Sequence, residues 1–284
     1  MNIPSQANYA TFDRRAGEYA RHRDLFPGEA LVFDRYRQQF SGAVLDIAVG
    51  AGRTTRALAP MARSYIGIDY SPGMIEQARR AYPDTDLRVM DMRELPAALR
   101  GHRFDAILVS FNGIDYISWE KREQLLGELR SLLGEDGVLV FSTHDLDRAA
   151  TNARFRLRKD LHLSLREIMT MPRRVVRFCV RGLPWLWRAA RNRIRNRRLQ
   201  AAFQGYAIVN DDGDDYGLLT VYVSRERQLQ QLVDTGWQPL EVIPAGSGDE
   251  PEYMHYFVAR CARPGGATVG ALIAACAWWF VDAA

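Results

Sequence analysis

The sequence predicts an α/β fold built on a doubly wound, seven-stranded, mostly parallel sheet, with a helical, Arg-rich insertion after the fifth strand. Three observations predict it. Five β-rich runs alternate with helical stretches between Val44 and His144, the pattern of strands joined by crossover helices. The runs are near-continuous in Val, Ile and Leu, as suits strands covered on both faces. The rhythm then breaks over residues 146–215 and resumes with a helical stretch and two more strands.

The elements follow in order. Residues 1–40 read as helical, with Phe12, Ala16 and Tyr19 at helical spacing. The five runs are VLDIAVG (44–50), SYIGIDY (64–70), DLRVMD (86–91), FDAILVSF (104–111) and GVLVFSTH (137–144). Between them lie RTTRALAPM, SPGMIEQARRA, MRELPAAL and WEKREQLLGELRSLL, each of helical character. After the insertion come VYVS, the helical RERQLQQLVDTG, and strands near 237–243 and 253–261. The expected units are a catalytic-type domain over 1–145 and 216–262, the basic insertion over 146–215, and a linker with an apolar tail over 263–284.

Composition excludes several classes. The 284 residues are 47% hydrophobic and 25% charged, which is globular rather than disordered or collagen-like. Cys179, Cys261 and Cys276 are far apart and lack CxxC spacing, so no disulfide scaffold or metal site is expected. MNIPSQANYATFDRR has no apolar run of a secretory signal, and the expected location is cytoplasmic. Residues 154–198 hold 14 Arg and one Lys against Asp160 and Glu167, a local charge of +13 that leaves −9 for the remainder of a chain of net +4. This is an acidic protein carrying one strongly basic segment.

DIAVGAG (46–52) sits where the first strand turns into the first helix. Gly50 and Gly52 permit positive φ and close approach of a ligand to the backbone, and a following helix start offers N–H groups. Asp69 lies 19 residues after Gly50, at the end of the second run, where a carboxylate grips a ribose diol. A nicotinamide fingerprint wants a third glycine, and Thr55 stands there instead.

DIAVGAGRTT, IGIDYSPGMIEQAR, VMDMRELP, FDAILVSFNGIDYI and LLGEDGVLVFSTH, in that order, resemble the motifs of the class I S-adenosylmethionine-dependent methyltransferases, a Rossmann-like superfamily. The resemblance runs from about Tyr9 to Arg260. It implies S-adenosylmethionine as cofactor and S-adenosylhomocysteine as product. Asp46 would order the cofactor's amino-acid end with the backbone at Ala48 and Gly50. Asp69 would take both ribose hydroxyls, Tyr70 and Met74 would pack around ribose and adenine, and Asp91 would accept from the adenine amine beside the Met92 backbone. Ser110 and Phe111 would line the floor near the methionine chain. Tyr19, in a segment like the family's FD-x-x-A-x-x-Y opening, would cover the cofactor. Ala48 departs from the family's first Gly, a small loss because that position chiefly needs a close backbone. Structural alternatives stay open residue by residue: Asp46 hydrogen-bonding the turn, Asp91 capping the next helix, and Asp69 preceding Ser71-Pro72, a good cap and N1 pair.

A sulfonium methyl is already electrophilic, so the chemistry is mostly positioning. A base is needed only for a poor nucleophile. His144, ending the fifth strand at the carboxyl edge, is the candidate base, with a backbone-bonding role as the alternative. Asp115, Asn112, Tyr116 and Tyr222 are candidates to orient an acceptor, and His255 reads as structural. Ser110-Phe111-Asn112-Gly113 is not the Pro-Pro-aromatic motif of nucleic-acid amino methyltransferases, and no Cys nucleophile lies nearby. The expected reaction is methyl transfer to an O or N atom of a small-molecule or glycan-type acceptor, anionic and bound by lid arginines. The alternatives are an RNA methyltransferase gripping RNA through 154–198, and a cofactor-binding protein docking to a membrane or partner.

Within the insertion, Leu161, Leu165, Ile168 and Met169, then Leu183, Leu186, Trp187, Ala190 and Ile194, recur at helical spacing. Pro172 and Pro184 are expected to open helices. The segment reads as a packed lid with a solvated Arg face, as a polyanion surface, or as an in-plane membrane helix. DDGDD (211–215) reads as a turn pairing with the arginines. TVGALIAACAWWFV (268–281) is 14 residues long, short of the ~20 that span a bilayer, and reads as a packing helix, with a homodimer contact as one use.

Overall fold

A computed structural model describes residues 5–152, 180, 182–211, 215–244 and 254–262. Helix α1 (Ser5–Tyr19) is followed by α2 (Pro27–Arg35) and the short α3 (Arg37–Phe40). The winding then begins: β1 (Ala43–Ile47), α4 (Thr55–Leu58), β2 (Ser64–Asp69), α5 (Pro72–Ala81), β3 (Leu87–Val89), α6 (Leu95–Ala98), β4 (Phe104–Val109), α7 (Trp119–Leu129) and β5 (Leu133–Asp145). The insertion supplies α8 (Ala149–Asn152), α9 (Leu183–Asn196), β6 (Ala201–Phe203) and β7 (Tyr206–Val209). The chain continues through β8 (Thr220–Val223), α10 (Arg225–Asp234), β9 (Trp237–Pro244) and β10 (Met254–Cys261).

The sheet has ten strands rather than the expected seven. Seven form the wound core, in the order β3-β2-β1-β4-β5-β10-β9, with β10 antiparallel to both neighbours. The other three are a short antiparallel β6-β7-β8 meander. Periodicity missed two of these strands because 201–209 lies beside an arginine-rich helix and carries only short apolar runs. The insertion is therefore not purely helical: its described part combines α9 with the β6–β7 hairpin. β5 is 13 residues long and outlasts β4, whose pairing with it stops at Phe141. His144 pairs with Met254 on one edge and Tyr222 on the other. A strand residue has two edges, so β8 continues the edge that β4 vacates.

Alternation along the strands divides the core into two layers. Leu45, Ile47, Ile107, Val109, Leu139 and Phe141 face α7 and α10, packing with Leu125, Leu126, Leu129, Leu229 and Leu232. Val44, Ala106, Leu108, Val138 and Val140 face the other way, with Val32, Phe40, Leu58, Ile75 and Ala78. Both sides are buried, which is why the runs read as continuously apolar. Trp237 Nε1 donates to the Leu126 carbonyl at 2.9 Å and ties the last β-hairpin to α7.

The helix starts expected from sequence occur where a side chain satisfies an exposed N–H. Ser71 accepts from Met74 N ahead of Pro72, and Ser224 accepts from Arg227 N. Pro184 stands in the first turn of α9. Leu161, Leu165, Ile168, Met169, Pro172, Cys179, Cys276 and the apolar tail lie outside the described residues.

Candidate active site

The carboxyl ends of β1, β2 and β4 open onto a cavity of about 380 Å³ roofed by α1. This is the crevice at which wound sheets bind ligands. The turn after β1 forms its base. Ala48, Gly50 and Gly52 all have positive φ, at 60°, 56° and 91°. Gly52 is also enclosed: an added Cβ would come within 2.8 Å of the Tyr82 ring. Ala48 bears a left-handed strain of about 1–2 kcal/mol, and its methyl lies against Gly113, where a Cβ would approach it to 2.7 Å. Ala48→Gly is expected to stabilise the fold by about 0.5–1 kcal/mol, read as a raised denaturant midpoint at unchanged slope.

Asp69 ends β2 and lines the cavity, 6% exposed. Its two oxygens accept the Gly50 N–H at 3.0 Å and the Ser71 N–H at 2.9 Å. The carboxylate thereby joins the Gly turn to the start of α5 and keeps further lone pairs for a diol. Burial pushes its pKa up to about 6, against the pull of those two N–H groups. A ligand hydroxyl needs the ionised form, so affinity is expected to fall as pH drops through about 6; a flat profile in titration calorimetry would exclude Asp69 as the acceptor.

Asp46 takes the geometry of its structural alternative and bonds the turn. It is fully buried and absent from the cavity lining. Thr54 Oγ1 and Tyr65 Oη donate to one oxygen at 2.6 and 2.8 Å, and Ser110 Oγ donates to the other at 2.8 Å. Burial lifts its pKa to about 6, opposed by these three hydroxyls. Asp46 is thus the knot joining β1, β2, the Gly turn and the end of β4, and it reaches the cavity only through Thr54 and Ser110. Sequence reading missed Thr54 and Tyr65 because a hydroxyl in a turn and a tyrosine inside a strand carry no spacing signal.

Of the other expected cofactor residues, Tyr19, Tyr70, Met74, Asp91, Met92, Ser110 and Phe111 all line the cavity, as do Ala48 and Gly50. Gly52 does not; it lies one turn back, beneath Tyr82. Asp91 is held by its own neighbour, with Arg93 N and Nε donating at 2.9 Å. Burial raises its pKa, but these bonds and the Arg93 charge outweigh that and leave it lowered. It also caps the 3₁₀ turn at Met92–Glu94, so the capping alternative holds in its geometry. The Tyr70 hydroxyl is buried at the cavity wall with no hydrogen-bond partner among the described residues. Burial, with Asp69 and Asp91 nearby, drives its pKa well above the usual phenol. A buried donor of this kind calls for a ligand acceptor.

Several residues on the wall or just behind it had no assigned role. Phe26 and Phe111 stack at 4.7 Å, with the Arg53 guanidinium 4.6 and 5.1 Å from their rings. Arg53 is fixed by Glu29, one of whose contacts is 2.8 Å. Asp13 accepts from Ser71 Oγ and Gly73 N, both at 2.8 Å, which clamps α1 over the start of α5. The FD of the α1 motif was the available signal for Phe12 and Asp13.

The three catalytic candidates come together, but behind the wall. Asp115 and His144 are buried, and neither they nor Tyr222 line the cavity. Asp115 Oδ2 is 2.7 Å from His144 Nδ1 and accepts the His144 N–H at 2.8 Å. Its Oδ1 accepts from Thr143 at 2.6 Å and from Arg122, itself 0% exposed. His144 Nε2 is 3.3 Å from Asn112 Nδ2. Tyr222 donates to Asp211 at 3.0 Å and packs on the His144 ring at 4.9 Å. Tyr116 does line the cavity, and His255 lies 3.9 Å from Asp145. Among the described residues, no cluster of three or more His, Cys, Asp or Glu is placed to hold a metal.

A family model described as a methyltransferase domain matches residues 44–137. An uncharacterised methyltransferase of Anoxybacillus flavithermus is 27% identical over 138 residues, 48% of this chain and 64% of that protein. The dTDP-3-amino-3,6-dideoxy-alpha-D-glucopyranose N,N-dimethyltransferase of Streptomyces fradiae is 31% identical over 120 residues, 42% of this chain and 45% of that protein. The chain thus spans about half to two thirds of the length of these two curated relatives. The crystal structure of an S-adenosylmethionine-dependent methyltransferase from Clostridium acetobutylicum shares the fold, with a TM-score of 0.53 at 11% identity over 90% of this chain and 92% of that one.

Proposed function

We propose that this chain, a member of the class I S-adenosylmethionine-dependent methyltransferase superfamily, transfers a methyl group from S-adenosylmethionine to an O or N atom of a small-molecule acceptor. One observation carries the reading: the Asp69 carboxylate, anchored on the Gly50 and Ser71 N–H groups, faces a cavity framed by the left-handed Gly turn. The residues present fit the cofactor. The turn admits close approach of a ligand, Asp69 offers lone pairs to a diol, and Tyr70 holds out a hydroxyl with no partner among the described residues. Asp69 would hold the ribose, Met74 and Tyr70 its flanks, Met92 the adenine side, and Ser110 the amino-acid end. When bound, the cofactor supplies an electrophilic methyl group. The chain's own residues bind, orient and exclude water, and Phe12, Tyr19, Phe26 and Phe111 provide the apolar walls for this.

Among the described residues, the three arginines on the cavity wall are each matched by a carboxylate: Arg15 by Glu18, Arg53 by Glu29, Arg93 by Asp91. This part of the wall favours an acceptor with an apolar face, and the arginines expected to take an anionic one lie largely outside the described residues. The Streptomyces relative is named for a dTDP-linked amino sugar, which keeps a glycan-type acceptor, anionic ones included, within this reading.

His144 and Asp115 are assigned a positioning role. Asp115 fixes the ring through Nδ1, and Nε2 points to Asn112 rather than to the cavity. His144→Gln is therefore expected to keep turnover within about tenfold and to leave the shape of the pH–rate profile unchanged. A general base would lose about 10²–10⁴-fold and the corresponding limb of the profile. The test of the function itself is incubation with methyl-labelled S-adenosylmethionine and fractionated small-molecule, glycan and RNA pools. Label in the small-molecule or glycan pool supports the reading; label confined to RNA, or none with the cofactor bound, overturns it.

A further inference from the structure

Helix α9 is apolar on two opposite faces. At 100° per residue, Trp185, Ala189, Asn192 and Asn196 fall on one side. Trp185 and Ala189 are buried against Tyr216, and both asparagines bond the backbone at 215–216. Leu183, Trp187, Ala190 and Ile194 fall on the other side, within about 60° of arc. That second stripe is bare: Leu183 is 51% exposed, Trp187 63% and Ile194 76%, with Val180 at 67% just ahead of the helix. A surface helix of a soluble domain ordinarily turns polar residues outward.

Charge says what covers the stripe. No acidic residue occurs from Val180 to Asn210, whereas Arg188, Arg191, Arg193, Arg195, Arg197 and Arg198 do. Arg191 lies over the Trp187 ring at 4.9 Å. Arg188 is tied to Asp215 and Arg193 to the Tyr216 ring. Among the described residues, no carboxylate pairs with Arg191, Arg197 or Arg198. An apolar stripe bearing a Trp and flanked by unpaired arginines has the chemistry of a helix lying in the plane of an anionic bilayer, with rings and aliphatic side chains at the acyl boundary and guanidiniums among the phosphates. A protein partner would need a matching acidic apolar groove. RNA would use the arginines and leave Leu183 and Ile194 wet. No described helix is long and apolar enough to cross a membrane, so the contact is peripheral.

We infer that the outer face of α9 docks the protein onto an anionic lipid surface. The inference does not rest on the methyl-transfer reading. The test is co-sedimentation of the full chain with vesicles of phosphatidylcholine alone, or of phosphatidylcholine with phosphatidylglycerol. The wild type is expected to pellet with the anionic vesicles only, and less as salt is raised. Leu183→Ser/Trp187→Ser/Ile194→Ser, and separately Arg191→Glu/Arg197→Glu/Arg198→Glu, are each expected to weaken partitioning by about tenfold or more. Unchanged circular dichroism and S-adenosylhomocysteine affinity would show that both variants remain folded. The inference is overturned if the wild type stays in the supernatant. It is equally overturned if the apolar triple variant pellets like the wild type, or if light scattering without lipid shows a wild-type dimer that this variant converts to monomer, since the stripe would then be a contact between two copies.

Discussion

Asp69→Ala is expected to lower the affinity for S-adenosylmethionine and S-adenosylhomocysteine by more than about a hundredfold. Hydrogen bonds to a charged group are worth about 1.5–3 kcal/mol each, and a diol makes two. The substitution also strands the Gly50 and Ser71 N–H groups that the carboxylate now satisfies, loosening the turn and the start of α5. Asp69→Asn keeps one acceptor and should fall between wild type and alanine. Titration calorimetry reads both, and micromolar affinity retained by the alanine variant would sink the site assignment. Because Asp69 is pushed up to about 6, the comparison belongs at pH 8, where the wild-type group is ionised.

Asp115→Ala is expected to destabilise the fold by about 3–5 kcal/mol, the usual result of removing one member of a buried ion pair. Arg122 is 0% exposed and, among the described residues, its Nε has no hydrogen-bond partner, so its charge would be left with Thr143, Gln228 and the Trp119 ring. The His144 ring and backbone N–H would lose their acceptor in the same step. Denaturant unfolding measures the effect. A loss under about 1 kcal/mol would mean that water or a neighbour replaces the carboxylate. Turnover by the folded fraction separates this from catalysis: a positioning role predicts that kcat falls less than the folded population.

The pattern of buried and exposed positions shows why part of the site was legible. Asp69 and the Gly50–Gly52 turn announce themselves because strand ends and glycines sit at fixed offsets in a wound sheet, and offsets are a property of sequence. The same holds for the near-continuous apolar runs, which require cover on both faces. The Asp46 knot and the Asp115–His144–Arg122 cluster were legible only as candidates. Their partners come from Tyr65, Thr54, Ser110 and Arg122, which lie 19, 8, 64 and, from Asp115, seven residues away. No periodicity links such distances.

Sequence alone therefore determined the winding of β1 to β5, the place of the ligand crevice and the carboxylate expected to grip a diol, because each follows from local spacing and strand alternation. Tertiary structure alone decided which aspartates face the cavity. Asp69 reaches it because its strand ends there. Asp46, one residue before the end of β1, is sealed beneath three hydroxyls. Tertiary structure also decided that His144 lies behind the wall, since β8 takes the edge that β4 leaves and carries Tyr222 against its ring. It decided, too, that α9 buries Trp185 and leaves Trp187 in the open. Helical spacing put Trp187, not Trp185, in the stripe expected to pack, and the packing of Tyr216 against the opposite face reverses that choice.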